Sequence, residues 1–272
     1  MFDAHCHLHD NADVLEQILE TLPTRRIVLN GTRPDDWPVV ERFYLNYPDR
    51  VVPCFGVHPW YAHTVTIPTA SISNNNTSAS NPEWLDQLEQ LLLKYPNAAV
   101  GEIGLDAVAT HPSTNEKYDM SHQERVFEVQ IALAAQLMRP VCVHSVQVHG
   151  KMLEFFRKFN CKQNPTSLPP RIMLHSYTGS ADIAKQLATL KLKVGERFYF
   201  SFSKAINNRN TKWHALLPHD RLLIESDLDS ASCEFDMMEQ IANEVRDATG
   251  YTFDEVIELT TNNAERFFGI TA

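Results

Sequence analysis

The sequence lacks the features typical of membrane-spanning, secreted or DNA-coating proteins. No apolar run approaches the roughly 18 residues that a transmembrane helix needs. Residues 1–5 offer neither a basic stretch nor an apolar core, so we expect no secretory signal peptide. Positive charge is scarce, since 24 Lys and Arg oppose 34 Asp and Glu, for a net charge of −10. Bulk charge would therefore not hold nucleic acid or an anionic membrane, and a phosphate-bearing substrate would need a local positive centre.

Cysteine is also too sparse and too irregular to suggest a structural framework. The 5 cysteines are an odd number, and no two follow a C-x-x-C spacing. Neither a disulfide scaffold nor a zinc knuckle is expected, and the reducing cytoplasm or nucleus fits best. The 43% hydrophobic content suffices for a full core. We predict one domain over residues 1–272, in which the Ser-, Thr- and Asn-rich segment 64–82 is a flexible surface insertion.

Short apolar runs alternate along the chain with patterns typical of helices. The eight strand candidates are Phe2–His5, Arg26–Asn30, Val51–Val57, Ala99–Gly104, Val141–His144, Ile172–His175, Tyr199–Ser203 and Leu222–Glu225. The helix candidates are Asp13–Leu22, Glu83–Lys94, Ser121–Met138, Ala181–Leu190, Phe235–Ala248, Phe253–Glu258 and Asn262–Phe268, and Ser121 with Glu124 is interpreted as a capping box. This alternation predicts an α/β fold, a (β/α)₈ TIM barrel, with an open doubly wound sheet as the alternative.

Side chains that metal ions favour stand at the predicted carboxyl ends of five strands. They are His5, His7, Glu102, His144, His175 and Asp227. In a barrel these ends open on one face, where catalytic residues lie. Core packing explains them poorly, because each buried polar group would need its own partner. Four His and two carboxylates suit two divalent ions, with Zn²⁺, Mn²⁺, Mg²⁺ or Fe²⁺ all compatible with mixed nitrogen and oxygen ligands.

The same segments, in the same order, resemble the TatD family of metal-dependent deoxyribonucleases, which have amidohydrolase-like barrels. The matching motifs are His5-x-His7-Leu8, GVHP at 56–59, GEIGLD at 101–106, PVCVHS at 140–145, HSYTGS at 175–180 and ESD at 225–227. The segments Gln123–Phe127 and Asn263–Phe268 resemble two further family elements, Q-x-x-x-F and N-x-x-R-x-F. The resemblance spans the whole chain and is nearest to the fungal branch that includes Cut9-interacting proteins.

The resemblance implies a ligand set for two divalent metal ions per chain, zinc, magnesium or manganese. In this family the strand-one pair and the strand-eight carboxylate bind one ion, the strand-four carboxylate bridges both ions, and the histidines of strands five and six hold the second. The corresponding residues are His5, His7 and Asp227 for the first ion, Glu102 for the bridge, and His144 and His175 for the second.

The resemblance further implies hydrolysis of phosphodiester bonds in DNA, in several members as a 3′-to-5′ exonuclease. Asp227 would orient the attacking water or accept its proton, Glu102 would bridge the metals, and a cationic His58 would face the substrate phosphate. Trp60 is a candidate to stack on a base and Lys204 to meet a phosphate. We expect DNA, as single strands or 3′ ends, to be a transient partner, and we expect no membrane association.

The chain also departs from the family pattern around the predicted site. Val146 stands where the family usually has Arg, Ala107 where an aromatic residue is usual, and no Pro follows Asp227. Two alternatives therefore remain open. One is a small-molecule amidohydrolase or esterase on the same barrel, and the other is a non-catalytic scaffold for a protein partner. His9 is interpreted as a solvated loop residue and not as a third ligand beside His5 and His7.

Overall fold

The structure is a computed structural model that describes residues 1–68, 81–159, 168–207 and 217–270. It contains eight strands, β1 (Phe2–Cys6), β2 (Arg26–Asn30), β3 (Val51–Phe55), β4 (Ala99–Asp106), β5 (Val141–Val146), β6 (Ile172–Leu174), β7 (Phe198–Ser203) and β8 (Leu222–Glu225). Each strand pairs in parallel with the next one along the chain. The strands are buried along almost their whole length because helices cover the outside of the sheet.

The helices between and after the strands are α1 (Ala12–Ile18), α2 (Trp37–Asn46), α3 (Glu83–Lys94), α4 (Met120–Gln136), α5 (His149–Arg157), α6 (Ala181–Ala188), α7 (Glu234–Thr249) and α8 (Phe253–Phe268). Leu85, Leu88 and Leu92 of α3 illustrate how they pack, since all three are buried on one face at helical spacing. None of the helices in the described part of the chain has the length and apolar character required to cross a membrane.

Hydrogen bonds between residues in or just after β1 and residues just after β8 bring the first and last strands together into a barrel. The Asp227 N–H donates to the His5 carbonyl at 3.0 Å, and the His7 N–H donates to the Leu228 carbonyl at 2.7 Å. The Ser226 N–H donates to the Asp3 carboxylate at 2.9 Å. The prediction of a TIM barrel is confirmed. The open doubly wound sheet is excluded, because such a sheet would leave its edge strands unpaired.

The opposite end of the barrel is covered by the last helix. Phe268 of α8 stacks on Phe2 at the start of β1, with ring centroids 5.8 Å apart, and Phe267 packs edge-on against Tyr199 of β7 at 5.0 Å. These contacts lie at the amino-terminal ends of β1 and β7 and bury both phenylalanines. The carboxyl ends of the strands are therefore the face on which loops can form a site.

Several element boundaries differ from the sequence predictions. Helices α2 and α5 are not among the predicted helices, and α8 is one continuous helix where two are predicted. Within α8 the hydroxyl of Thr260 donates to the Val256 carbonyl at 2.8 Å, so this β-branched residue is accommodated in the helix. The predicted capping box at Ser121 is wrong, because Asp119 is the N-cap of α4 and accepts from the Ser121 N–H.

The predicted insertion falls largely outside the described residues. Residues 69–80 of the segment 64–82 are among those for which no structure is described. Residue 64 is the last residue of the short 3₁₀ helix Pro59–Thr64, and residue 65 follows it. Residues 81–82 lead directly into α3. The flexible character of the segment stays a prediction.

Candidate active site

Glu102 is the centre of the site at the carboxyl-terminal face of the barrel. It lies on β4, is 2% exposed, and directs its two carboxylate oxygens towards different groups of histidines. Oε1 lies 2.7 Å from His175 Nε2, 2.8 Å from His144 Nδ1 and 3.2 Å from His58 Nε2. The rings of these three histidines come from the ends of β6, β5 and β3, so strands distant in sequence converge on one oxygen.

The second oxygen of Glu102 faces the paired histidines of β1. Oε2 lies 3.0 Å from His7 Nε2 and 3.4 Å from His5 Nε2. The two Nε2 atoms are themselves 3.2 Å apart, and Asp227 Oδ1 lies 3.7 Å from His5 Nε2. Two imidazole nitrogens and two carboxylate oxygens therefore converge on this side of Glu102. Together with the first group, the structure brings all six predicted metal ligands into one cluster.

A glycine two residues after Glu102 permits the close approach of β4 and β5. Gly104 has φ +148°, and a Cβ built on it would lie 2.0 Å from the His144 carbonyl oxygen. Only glycine fits such a backbone conformation at this distance. His144 of β5 lies directly opposite Gly104, and Glu102 precedes Gly104 by two residues on β4. The close approach of the two strands therefore brings Glu102 and His144 together.

Hydrogen bonds behind the rings determine which nitrogens face the centre. His7 Nδ1 lies 2.9 Å from the Asn30 carbonyl oxygen, which can only accept, so this nitrogen carries a proton and Nε2 is the nitrogen that faces Glu102. His144 Nε2 lies 3.1 Å from Asp106 Oδ2, which leaves Nδ1 directed at Glu102. Such outer partners orient metal-binding histidines and raise their basicity. The tautomers are thus those that a metal site requires.

The electrostatics of the cluster are those of a cation site. Burial disfavours ionisation of Glu102, but the charges of His58 and His175 and hydrogen bonds from His144 and His175 outweigh it and hold the pKa of Glu102 well below its usual range. Burial likewise opposes charge on His7, yet Glu102 and Asp227 raise the pKa of His7 to about 9. The carboxylates therefore create a negative potential that raises the pKa of His7, His144 and His175, whereas burial lowers the pKa of His5 and His58.

Three groups of potential ligands meet the distance criterion for holding a metal ion. Within the described residues they are His5, His7 and Glu102; His58, Glu102 and His144; and His5, His175 and Glu225, with the ligand atoms of each group within 4.8 Å of one another. Imidazole nitrogens and carboxylate oxygens together suit divalent ions such as zinc. Nδ1 of His5 and Oε2 of Glu225 are buried without a hydrogen-bond partner among the described residues. The donor set therefore fits divalent metal ions, as the sequence predicts, but these groups include His58 and Glu225, which the sequence did not identify as ligands, and do not include the predicted ligand Asp227.

Asp227 stands at the end of β8 in a constrained backbone conformation. Its φ of +55° lies in the left-handed region that non-glycine residues seldom adopt, and Ser176 at the end of β6 has φ +37°. The Ser176 hydroxyl lies 2.9 Å from Asp227 Oδ2 and 2.8 Å from Glu225 Oε1. The two strand ends therefore hold the Asp227 carboxylate at the mouth of the site, where it is 13% exposed.

His58 and Trp60 line the same mouth from the loop after β3. The Trp60 N–H donates to His58 Nδ1 at 3.2 Å, so His58 Nε2 carries the proton of the neutral ring and points at Glu102. Burial and the charge of His144 lower the pKa of His58 to about 4, although Glu102 opposes this. Burial therefore opposes the cationic state that the resemblance implies for His58. The Trp60 indole is 46% exposed and donates to Asp106 Oδ2 at 2.8 Å.

Lys204 is less closely connected to the cluster. It follows β7 and forms a tight ion pair with Glu244 of α7, which offsets much of the charge that it offers to a phosphate. Arg33, in the loop after β2, is a cation that the sequence prediction does not include, and it lies 3.9 Å from Asp36 Oδ2. The Arg33 guanidinium lies over the Tyr61 ring at 4.5 Å. Its position three residues after a predicted strand end was the signal that could have identified it.

His9 is the clearest departure from the sequence interpretation. It is 3% exposed instead of solvated, because the short 3₁₀ helix Leu8–Asn11 folds it back against the barrel beside His7. Neither ring nitrogen has a hydrogen-bond partner among the described residues. Burial and the charge of His7 lower the pKa of His9 to about 4. The ring is therefore a neutral packing residue behind the site, and its centroid lies 6.2 Å from that of His7.

Comparison with known proteins agrees with this geometry. The family model described as "TatD related DNase" matches residues 2–269. The chain is 31% identical to the Cut9-interacting protein scn1 of Schizosaccharomyces pombe, over 100% of this chain and 99% of that protein. It is 34% identical to a 3′-5′ ssDNA/RNA exonuclease TatD of Edwardsiella piscicida, over 74% of this chain and 66% of that protein.

A solved structure supports the fold independently. The TatD homologue YJJV of Escherichia coli superposes with a TM-score of 0.71 at 21% identity, covering 100% of this chain and 98% of that one. The fold prediction is thereby confirmed a second time, and the predicted class, a metal-dependent hydrolase of the deoxyribonuclease type, is confirmed at the level of the family. The match over residues 2–269 shows that the chain belongs to the TatD-related DNase family.

Proposed function

We propose that this chain hydrolyses phosphodiester bonds of DNA at two divalent metal ions, acting on single strands from the 3′ end. The observation that carries the proposal is the arrangement of Glu102, whose two oxygens face separate groups of imidazoles. A carboxylate placed in this way is suited to bridge two ions. The relative in Edwardsiella piscicida is named a 3′-5′ ssDNA/RNA exonuclease, which supports the polarity and the single-stranded substrate.

The proposed ligand sets follow the two sides of Glu102. His5, His7 and Asp227 would hold one ion, and His144 and His175 the other. Zinc, magnesium and manganese are all compatible with these nitrogen and oxygen donors. When bound, the ions would acidify a water molecule and neutralise charge on the phosphate. They would thus supply the local positive centre that a chain of net charge −10 otherwise lacks.

The side chains around the ligands would position the reactants. Asp227 would orient the attacking water and accept its proton, because Ser176 fixes the Oδ2 atom and Oδ1 faces the cluster. His58 would donate its Nε2 hydrogen to a phosphate oxygen, as a neutral donor. Trp60, anchored through its indole nitrogen to Asp106, presents a face on which the terminal base could stack.

The experiment that tests the proposal is cleavage of a 3′-labelled single-stranded oligonucleotide with Mg²⁺, Mn²⁺, Zn²⁺ or EDTA. Asp227→Asn should lower the rate about 10²- to 10⁴-fold, since it removes the proton acceptor. Asp229→Asn is the matched control, because this carboxylate lies two residues away and is exposed. Cleavage that persists in EDTA, or in Asp227→Asn at the wild-type rate, would contradict the proposal. Activity confined to a panel of small amides or esters would favour the amidohydrolase alternative.

The proposal extends to the organisation and surroundings of the chain. We treat residues 1–272 as one domain, because bonds between β1 and β8 make the first and last strands neighbours. The cytoplasm or nucleus suits the chain, since Cys6, Cys54 and Cys142 are unpaired and buried. A protein partner is also proposed, because the Schizosaccharomyces pombe relative is named a Cut9-interacting protein. Capture experiments with Glu102→Gln would separate partner binding from catalysis, since a scaffold should not need Glu102.

A further inference from the structure

A cluster of three aromatic rings lies in the loops that follow β3 and β4 and takes no part in the metal-ligand cluster. We call it the aromatic rim, and it consists of His63, His111 and Tyr118. The His63 and Tyr118 rings stack, with centroids 4.9 Å apart and planes inclined by 17°. His111 packs edge-on against both, at 5.4 Å from His63 and 6.0 Å from Tyr118. His63 is exposed and the other two are partly exposed, so the rings contribute little to the core.

The two connections that carry the rim emerge from the catalytic face. His63 belongs to the 3₁₀ helix Pro59–Thr64, which begins directly after His58. His111 and Tyr118 lie in the connection between β4 and α4, which an antiparallel bridge between Thr110 and Lys117 holds together. Both connections follow strands whose ends supply His58 and Glu102. The rim therefore shares a face with the proposed reaction centre.

The distance between rim and centre matches a short length of single strand. A 3₁₀ helix rises about 2 Å per residue, so the five residues from His58 to His63 span roughly 10 Å. Successive nucleotides in a stacked strand are about 3.4 Å apart. A strand that runs along this helix from the phosphate that His58 would contact would therefore bring its third or fourth nucleotide to the rim.

The chemistry of the rim suits a base and not a phosphate. A cavity of about 230 Å³ adjoins the stacked pair, between His63 and Tyr118 and the residues Asp119 and His122. Among the described residues that line this cavity there is no Arg or Lys, and Asp119 would repel an anion. Flat rings bind unpaired bases of any sequence, because every base offers a π-face.

We propose that His63, His111 and Tyr118 form a subsite that binds unpaired nucleobases of single-stranded DNA three to four nucleotides from the cleaved bond. The inference rests on the proposed nuclease function. It adds to that function a site that favours strands of at least three to four nucleotides, whatever their base sequence. Binding there would depend on stacking, so salt would weaken it little. Duplex ends would have to unpair before engaging it.

The test compares hydrolysis of a ten-nucleotide single strand with that of bis(4-nitrophenyl) phosphate, which has no base. In Tyr118→Ala the kcat/KM for the strand, divided by the kcat/KM for bis(4-nitrophenyl) phosphate, should fall at least about fivefold, which is the lower end of the range for loss of one stacked base. Tyr118→Phe keeps the ring and should restore the ratio. Tyr251→Ala is the matched control, because Tyr251 packs on His219 at 5.3 Å before β8, at the opposite end of the barrel.

Substrate variants sharpen the test. An abasic site at the third and fourth nucleotides should weaken cleavage by wild type about as much as Tyr118→Ala does, and should add nothing in that variant. A dinucleotide is too short to reach the rim. For this substrate, the ratio of its kcat/KM to that for bis(4-nitrophenyl) phosphate should be the same in wild type and in Tyr118→Ala. Equal loss on both substrates in Tyr118→Ala would overturn the inference, because it would reveal a purely structural role.

Failure of the inference can be distinguished from failure of the proposed function. If wild type cleaves no DNA, the function fails, and the inference is then decided by binding of an uncleavable phosphorothioate ten-mer to the full chain. Wild-type binding that weakens at least about fivefold in Tyr118→Ala, and not in Tyr118→Phe, would support the subsite. No binding by wild type, or equal binding by both variants, would overturn it.

Discussion

A buried carboxyl pair behind the metal ligands predicts an unusual dependence of stability on pH. Glu234, the first residue of α7, has no exposed surface, and both of its oxygens accept from the Thr24 hydroxyl at 2.9 Å. Asp3 lies beside it and accepts from the Ser226 N–H and hydroxyl. Burial raises the pKa of Glu234 from 4.5 to about 7, against the opposing hydrogen bonds from Thr24 and Asp3.

The sign and size of the effect follow from this pKa. The folded chain keeps the Glu234 proton between pH 4.5 and about 7, whereas the unfolded chain releases it, so folding stability falls as the pH rises through that interval. At about 1.4 kcal/mol per pH unit, the full interval corresponds to roughly 3 kcal/mol. A negative charge at the start of α7 regains about 0.3–1 kcal/mol from the helix dipole. We therefore expect Glu234→Gln to stabilise the chain by about 2 kcal/mol at pH 8 and by little at pH 4.5.

Urea unfolding at several pH values, with metal concentration held constant, measures this difference directly. Gln keeps an acceptor for Thr24 while removing the ionisable group, so the comparison isolates the charge. Glu239→Gln on the exposed side of α7 is the control, and its difference in stability from wild type should not change with pH. A difference between wild type and Glu234→Gln that is constant from pH 4.5 to 8, or a variant less stable at pH 8, would refute the reasoning.

Two further predictions concern the site. If two ions bind as proposed, Glu102→Gln should reduce bound metal, measured by plasma mass spectrometry, to at most one ion per chain, because a neutral amide cannot bridge two cations. The partly exposed Glu124→Gln is its control, and undiminished metal would contradict the bridge. Lys204→Met should raise KM for an oligonucleotide and lower the slope of log KM against log salt by about one, whereas Glu244→Gln, which frees Lys204 from its ion pair, should lower KM. Identical salt slopes in wild type and both variants would exclude Lys204 as a phosphate contact.

The sequence predicted the barrel and the ligand cluster because both depend on position along strands. Glu102 and His144 could be placed at strand ends from apolar runs alone, and the fold then brings such ends together. The order of these residues along the chain also carried the family resemblance. Neither the barrel nor the ligand cluster depends on the exact first and last residues of a strand. Errors of one or two residues in the strand boundaries therefore leave both predictions unchanged.

Other features were out of reach because they depend on three-dimensional surroundings. The burial of His9 results from the turn Leu8–Asn11, and nothing in its own sequence position distinguishes it from a solvated residue. The neutral state of His58 comes from burial and from His144, 86 positions away. Helix α2 opens with Trp37 and Pro38, and proline is accepted there only because the first turn needs no donor from it. Short helices of this kind have weak periodicity, and tertiary packing decides them.

The net charge and the aromatic rim together suggest how an acidic chain can process DNA. With a net charge of −10, the bulk charge offers no long-range attraction, and the proposed metal ions would concentrate positive charge at a single phosphate. Stacking on His63 and Tyr118 would add affinity that carries no charge and so needs no basic surface. If charge acts at one phosphate and stacking at a few bases, the strand is held by its end and by those bases. We then expect it to be released after each cleavage. Such stacking would add a contact to the strand in a chain where Val146 stands in place of the Arg usual in the family.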